Sequence, residues 1–236
     1  MARMAYAAIF IVMAGLIAML LYWQVEIIHL GGPVMIPLVM CSVFSVALTI
    51  ERLYYFFALH LGVDMERFFN GLHQALETHR WQEAQQLCEQ TKGPVARVAL
   101  AGLASRTGTP QEIDEVMEGA AHSELPAVEQ HLRWLSTLAQ VSTLLGLLGT
   151  VTGLVRAFQV IQNKATAGNP VNPSELAGGV WEALITTVAG LSIAIPTIIA
   201  YNYLAGRVGE VQFHMEKAAG LIAGWRRLGG GKHAAD

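Results

Sequence analysis

Four stretches of this 236-residue chain carry no Asp, Glu, Lys or Arg: residues 5–23, 27–50, 134–155 and 183–206. A helix rising 1.5 Å per residue needs about 20 apolar residues to cross a hydrocarbon core roughly 30 Å thick. The last three stretches meet that length with room to spare, and the first is borderline. Arg3 precedes the first stretch, which gives it a signal-like look. Its run is nevertheless longer than a signal h-region of roughly 7–15 residues, and no convincing small-residue cleavage site follows before Gly31. The expectation is a retained membrane helix.

Between the second and third stretches the pattern changes. Met65, Phe68, Phe69, Leu72, Ala75 and Leu76 recur at spacings of three and four, the apolar stripe of an amphipathic helix. Lys92-Gly93-Pro94 interrupts the helical pattern, and an apolar run resumes over 95–104. Thr109-Pro110-Gln111-Glu112 then offers an N-cap, a proline at N1 and a capping-box glutamate at N3. A helix should start there and run, kinked before Pro126, directly into the third charge-free stretch. No strand-like alternation occurs. The predicted organisation is a transmembrane helix over 5–23, a second over 31–56, and a helical domain over 57–133. A third transmembrane helix over 134–158, a loop over 159–178, a fourth transmembrane helix over 179–206 and a tail over 207–236 follow.

Composition agrees with this division. Hydrophobic residues make up 53% of the chain and charged ones 14%, against the roughly 25% charged usual in soluble proteins. Outside the four stretches the charged share rises to about 22%, close to soluble usage. The fold class is therefore an all-α membrane protein, with three core transmembrane helices, an extra N-terminal one and a helical segment in water. A soluble metabolic enzyme is excluded. Lys and Arg are dense around 51–133 and in the tail but sparse between Arg156 and Glu182, which predicts cytoplasmic termini and domain and an external 159–178 loop.

Net charge of −3 gives no electrostatic footprint for nucleic acid. Cys41 and Cys88 have no nearby cysteine and read as free thiols, and the histidines lack metal-ligand spacing, so no metal or cofactor is expected. G-x-S-x-G, H-E-x-x-H and a phosphate-binding Gly-x-x-x-x-Gly-Lys loop are all absent, which argues against an enzyme and an ATP-driven pump. The acidic group Glu112, Asp114, Glu115 and Glu118 reads as a solvated face near a helix start.

The last two charge-free stretches mix hydroxyls with small residues. Ser142, Thr143, Thr150 and Thr152 accompany Gly146, Gly149 and Gly153; Thr186, Thr187, Ser192 and Thr197 accompany Ala183, Gly190 and Ala194. Small residues let membrane helices approach closely, and hydroxyls can bond their own backbone one turn back. Glu182 needs more, because a carboxylate beside a membrane stretch is costly and faces water or a partner. It stands one turn before Thr186, so a carboxylate and threonines share one stripe, which suits a narrow wet path. Self-association through the small faces would hide these polar groups from lipid.

Leu144-Leu145-Gly146-Leu147-Leu148-Gly149-Thr150-Val151-Thr152-Gly153 resembles the glycine-threonine signature of the MotA/TolQ/ExbB proton-channel family. Gly179-Val180-Trp181-Glu182-Ala183-Leu184-Ile185-Thr186-Thr187-Val188-Ala189-Gly190-Leu191, with Ala194-Ile195-Pro196 and Tyr201-Asn202 after it, resembles the second signature. Gly31-Gly32-Pro33-Val34 through Ile50-Glu51-Arg52-Leu53 is similar to the family's first helix, and the likeness, greatest to the ExbB branch, covers roughly 31–210. It implies a homopentameric funnel whose last two transmembrane helices line a pore holding a dimer of an ExbD- or TolR-like single-helix protein. By motif position Thr150 and Thr187 would be the pore threonines facing the partner's aspartate, and Glu182 the carboxylate at the pore entrance. Thr186 and Ser192 would be further residues of the lining. The implied function is a proton-channel subunit of an inner-membrane motor that couples proton-motive force to outer-membrane transport, with a TonB- or TolA-like protein as a further partner. A flagellar-stator-like or gliding motor and a non-conducting scaffold are the alternatives.

Two features depart from that pattern. The 5–23 stretch is extra, and Arg156 stands where an uncharged residue is expected; the expectation for Arg156 is a side chain reaching to lipid headgroups. The third and fourth charge-free stretches also contain no acid, base or histidine, and a threonine hydroxyl holds no net charge at physiological pH. The titrating group of a proton relay should then come from another polypeptide.

Overall fold

A computed structural model describes residues 31–60, 64–105, 108–168, 170 and 172–227. The helix expected over 5–23 lies outside the described residues, as does the end of the tail. The described residues form seven helices and no strand: α1 (Met35–His60), α2 (Met65–Glu77), α3 (Trp81–Gln90), α4 (Pro94–Ala104), α5 (Pro110–Glu129), α6 (Leu132–Thr166) and α7 (Pro173–Arg227). Helices α1, α6 and α7 contain segments long and apolar enough to cross a membrane. The described residues are thus all-α, and the chain is a multi-pass membrane protein.

Local chemistry sets the helix starts. Asp64 caps α2 by accepting from the Arg67 amide at 3.3 Å. Gly93, at φ 125°, makes the turn before Pro94 opens α4. The expected capping box opens α5: Thr109 Oγ1 accepts from the Glu112 amide at 3.2 Å, and the Glu112 carboxylate accepts from the Thr109 amide at 2.8 Å. The join between α5 and α6 differs from expectation. Pro126 sits inside α5, and the break comes at Gln130–His131, where His131 takes a left-handed φ of 67°. Only then does the chain resume as α6.

The chain divides into two compact units. The apolar unit comprises the described residues up to Ile50 together with 134–201. Here α6 and α7 meet along glycines. A Cβ at Gly190 would come within 2.6 Å of the Ser142 carbonyl oxygen, and one at Gly153 within 2.8 Å of the Gly179 carbonyl oxygen. Gly149 lies against the Thr186 side chain, and Gly146 against the backbone of Thr186, Thr187 and Gly190. Only residues without a side chain allow this approach. The small faces of the two helices therefore face each other inside one subunit, where self-association between subunits was expected. Met35 and Leu38 of α1 close the unit against Ala189 and Ile193. The outward faces of α6 and α7 are large and apolar, including Leu144, Leu148, Val151 and Val155 on α6 and Leu184, Val188, Leu191 and Ile195 on α7.

The polar unit comprises 51–133 with the described residues from Asn202 onward. Its core is built from large side chains. Phe68, Phe69, Leu72, Ala75 and Leu76 form the buried face of α2, and Leu204, Val208, Val211, Met215, Ala218 and Ile222 form a buried stripe at helical spacing on α7. Trp81 and Trp225 meet edge to face with centroids 4.4 Å apart. Arg52 is buried, bonded to Glu51 at 2.9 Å and to His131 Nδ1 at 3.1 Å, and lies over the Tyr55 ring. Cys88 is a buried free thiol whose pKa is pushed up to about 12, first by burial and then by the neighbouring Glu89.

Candidate functional site

The candidate residues all lie on the α6–α7 pair of the apolar unit. These helices run into a short connection across which Lys164 and Glu175 bond at 3.1 Å. Two helices joined this way are antiparallel neighbours, so a residue a given distance before the connection faces one a similar distance after it. The signature residues meet in that register.

Thr187 donates its hydroxyl across the seam to the Gly146 carbonyl at 3.0 Å, with the Ala183 carbonyl of its own helix at 3.4 Å. Gly146 lies one turn before Thr150, so Thr187 is fastened to α6 one turn away from Thr150. Thr150 is partly exposed and donates to the Leu147 carbonyl at 2.6 Å. Thr186 is only 1% exposed; its methyl and hydroxyl press on Gly149, and the hydroxyl bonds the Ala183 and Glu182 carbonyls at 2.9 and 3.0 Å. Its hydroxyl thus serves its own helix within the subunit. Ser192 is partly exposed, one turn before Pro196, which removes a rung of the α7 ladder.

Glu182 and Arg156 form an ion pair across the helices, between Glu182 Oε1 and the Arg156 guanidinium. The Glu182 side chain is 19% exposed and that of Arg156 45%. A lone charge at membrane depth is costly, and here each charge has the other as its partner. This corrects the expectation that Arg156 reaches away to headgroups. The two positions face each other in the antiparallel register that the glycine seam sets.

Sequence reasoning also passed over a polar stripe on α1. Ser42, Ser45 and Thr49 are buried, with Ser45 Oγ bonding the Ser42 carbonyl at 3.0 Å and Thr49 Oγ1 the Ser45 carbonyl at 2.6 Å. Their spacing of three and four was the available signal. The Ser45 and Thr49 hydroxyls are satisfied by their own helix, so these two carry polarity without unmet donors. Among the described residues no group of His, Cys, Asp and Glu is arranged to hold a metal ion.

Comparison with known proteins points the same way as this geometry. The model of the MotA/TolQ/ExbB proton channel family matches residues 90–217. The putative biopolymer transport protein ExbB-like 3 of Synechocystis is 35% identical over 172 residues, which cover 73% of this chain and 80% of that protein. Biopolymer transport protein exbB1 of Vibrio cholerae is 30% identical over 195 residues, covering 80% and 82% of the two chains. The Tol-Pal system protein TolQ of Haemophilus influenzae is 38% identical over a shorter 96 residues, 41% and 40% of the two chains. A membrane component of a proton-driven motor, and not a classical enzyme, is what these likenesses describe. The chain belongs to the MotA/TolQ/ExbB proton channel family and within it is most like ExbB.

Proposed function

We propose that this chain is the proton-channel subunit of an ExbB–ExbD/TolQ–TolR-type inner-membrane motor that couples proton-motive force to outer-membrane transport. A homopentamer would place α6 and α7 of each subunit around a pore occupied by a dimer of a single-helix, ExbD- or TolR-like partner. A TonB- or TolA-like protein would receive the work. In this reading residues 57–133 and the C-terminus are cytoplasmic and the connection over 159–178 is external. The large apolar residues on the outward faces of α6 and α7 are covered by neighbouring subunits, the partner helix and lipid.

The observation that carries the reading is that, among the described residues of the α6–α7 seam, the charged side chains are paired with each other. The charges there are Arg156 and Glu182, and they neutralise each other. The proton carrier must then be a carboxyl group from the partner. Thr150 and Thr187 already donate to backbone carbonyls, which leaves their oxygen lone pairs as acceptors. A protonated partner carboxyl can donate to such an oxygen.

Proton flux into vesicles holding the complex purified from its host tests this. Thr150→Val should abolish partner-dependent flux and leave assembly intact, because the swap keeps the side-chain shape and removes the hydroxyl. Robust flux from this chain alone would overturn the reading. Thr187→Val is a less clean probe, since it also removes the bond to Gly146. That bond favours a packing role for Thr187, and a scaffold would tolerate Thr150→Val without loss. Orientation is checked in a Cys88→Ala background: a cysteine at Ala167 should react with an impermeant maleimide in intact cells, and one at Gln86 only after lysis.

A further inference from the structure

The Arg156–Glu182 pair has a third participant. Gly32, in the turn leading into α1, has φ +65°, and a Cβ there would run into the Glu182 carboxylate and meet the Arg156 guanidinium at 3.0 Å. A Cβ added at Gly31 beside it would come within 3.2 Å of the Thr186 methyl. Residues from all three membrane helices or their flanks thus converge on one carboxylate. Arg156 comes from α6, Glu182 from α7 and the Gly31–Gly32 turn from the start of α1. Gly32 is glycine for two separate reasons, a left-handed backbone and the lack of room for any side chain.

We propose that Arg156 is a positioning residue for Glu182: with the Gly32 turn it forms a clasp that holds the carboxylate at one place and one level on the subunit wall. The inference rests on the proposed proton-path reading and adds to it a role for two residues outside the threonine–glutamate set. A carboxylate left free on a flexible side chain at this depth would sample several rotamers and seek other partners. Bound to a guanidinium on one side and backed by a backbone turn on another, it has one arrangement. The clasp also keeps the start of α1 in register with α6 and α7 at that level. The contact runs through a single guanidinium nitrogen to a single carboxylate oxygen, so an ammonium can replace it in kind.

Flux through the complex purified from its host, in vesicles carrying a pH-sensitive dye, tests the clasp alongside melting temperature and elution volume. Arg156→Gln should lower partner-dependent flux about tenfold, the rate equivalent of ~1.4 kcal/mol, with elution volume unchanged and by more than any fall in melting temperature accounts for. Arg156→Lys should keep at least about half the flux, since the charge and a donor remain. Gly32→Asn should reproduce the Arg156→Gln defect, because asparagine accepts the left-handed backbone yet still pushes a side chain into the pair. The exchange Arg156→Glu with Glu182→Arg should recover part of what either single change loses. The proposal is overturned if Arg156→Gln keeps flux within about twofold of the parent, if Arg156→Lys is as defective as Arg156→Gln, or if flux falls only in step with melting temperature. Thr150→Val separates the two levels. If it spares flux, the proton-path reading fails and takes the clasp with it. If it abolishes flux while Arg156→Gln and Gly32→Asn are silent, the clasp alone fails.

Discussion

Gly190 and Gly209 stand in the same helix, α7, yet they belong to regions that pack by different means. Around Gly190 the backbone of α6 is so close that an added Cβ would strike the Ser142 carbonyl oxygen and the Gly146 Cα. Around Gly209 there is nothing within 4 Å of the place a Cβ would occupy. In the apolar unit, helices have little to gain from hiding apolar side chains, since lipid tails are as apolar as leucine. Contact there comes from close backbone approach and from hydroxyls bonded within or across helices. In the polar unit the ordinary hydrophobic effect operates, and bulk is the cohesive element: Phe68, Leu72, Met117 and Ile222 are all buried. One long helix serves both regimes by changing the size of its inward residues along its length.

The comparison breaks most visibly if bulk is removed from the polar unit. Leu72 has no exposed surface, in the centre of the α2 face. Leu72→Ala should destabilise the protein by about 2–5 kcal/mol, the usual cost of lost burial plus the cavity left behind. The first unfolding transition of the purified chain should fall by several degrees. In the apolar unit the reverse change does the damage. Gly190→Ala should cost about 1–3 kcal/mol through overpacking, because the obstructing atoms are backbone and have little freedom to move. Equal sensitivity of both units to both kinds of change would erase the distinction.

How much of this was legible beforehand depended on whether a feature is local. The long apolar helices follow from charge-free stretches, and the start of α5 from four consecutive residues, Thr109 to Glu112. The small faces of α6 and α7 were equally visible, but a face does not name its partner. They were assigned to contacts between subunits and prove to meet inside one. The same gap hid the Arg156–Glu182 pair, whose members are distant in sequence and come together only through the antiparallel register of two helices. The break at His131 was missed for another reason. Pro126 is the stronger local signal, but a helix of this length accommodates one missing hydrogen bond, while nothing in the residue type announces a left-handed histidine.

A smaller effect separates how the two units treat polar atoms. The buried Thr49 and Thr197 hydroxyls of the apolar unit are bonded to backbone carbonyls, whereas the Cys88 thiol of the polar unit is simply kept neutral by burial. Its raised pKa means the folded chain holds that proton more tightly than the unfolded one. The contribution is fully present below the ordinary thiol value near 9 and is lost as the pH climbs toward about 12. Between those limits stability should decline by up to about 1.4 kcal/mol per pH unit from this group, and Cys88→Ala should flatten the decline. Thiol labelling gives a direct check: Cys88 should react slowly in the folded protein near pH 8 and rapidly once denatured.

The finest test stays within α7. Gly209 is exposed and helical, and no neighbour lies near its missing side chain. Glycine in a helix interior is less favourable than alanine by roughly 0.5–1 kcal/mol, because the unfolded chain loses more freedom on folding. Gly209→Ala should therefore stabilise the protein by about that amount, opposite in sign to Gly190→Ala in the same helix. Gly206 and Gly220 have equally open surroundings and should behave alike. The pair of changes is informative because composition, helix and substitution are held constant and only the packing regime differs. Should Gly209→Ala instead destabilise the assembled complex while stabilising the isolated chain, the open side of α7 at that position would be a contact between subunits. The boundary between the two packing regimes would then lie further along α7 than the single chain indicates.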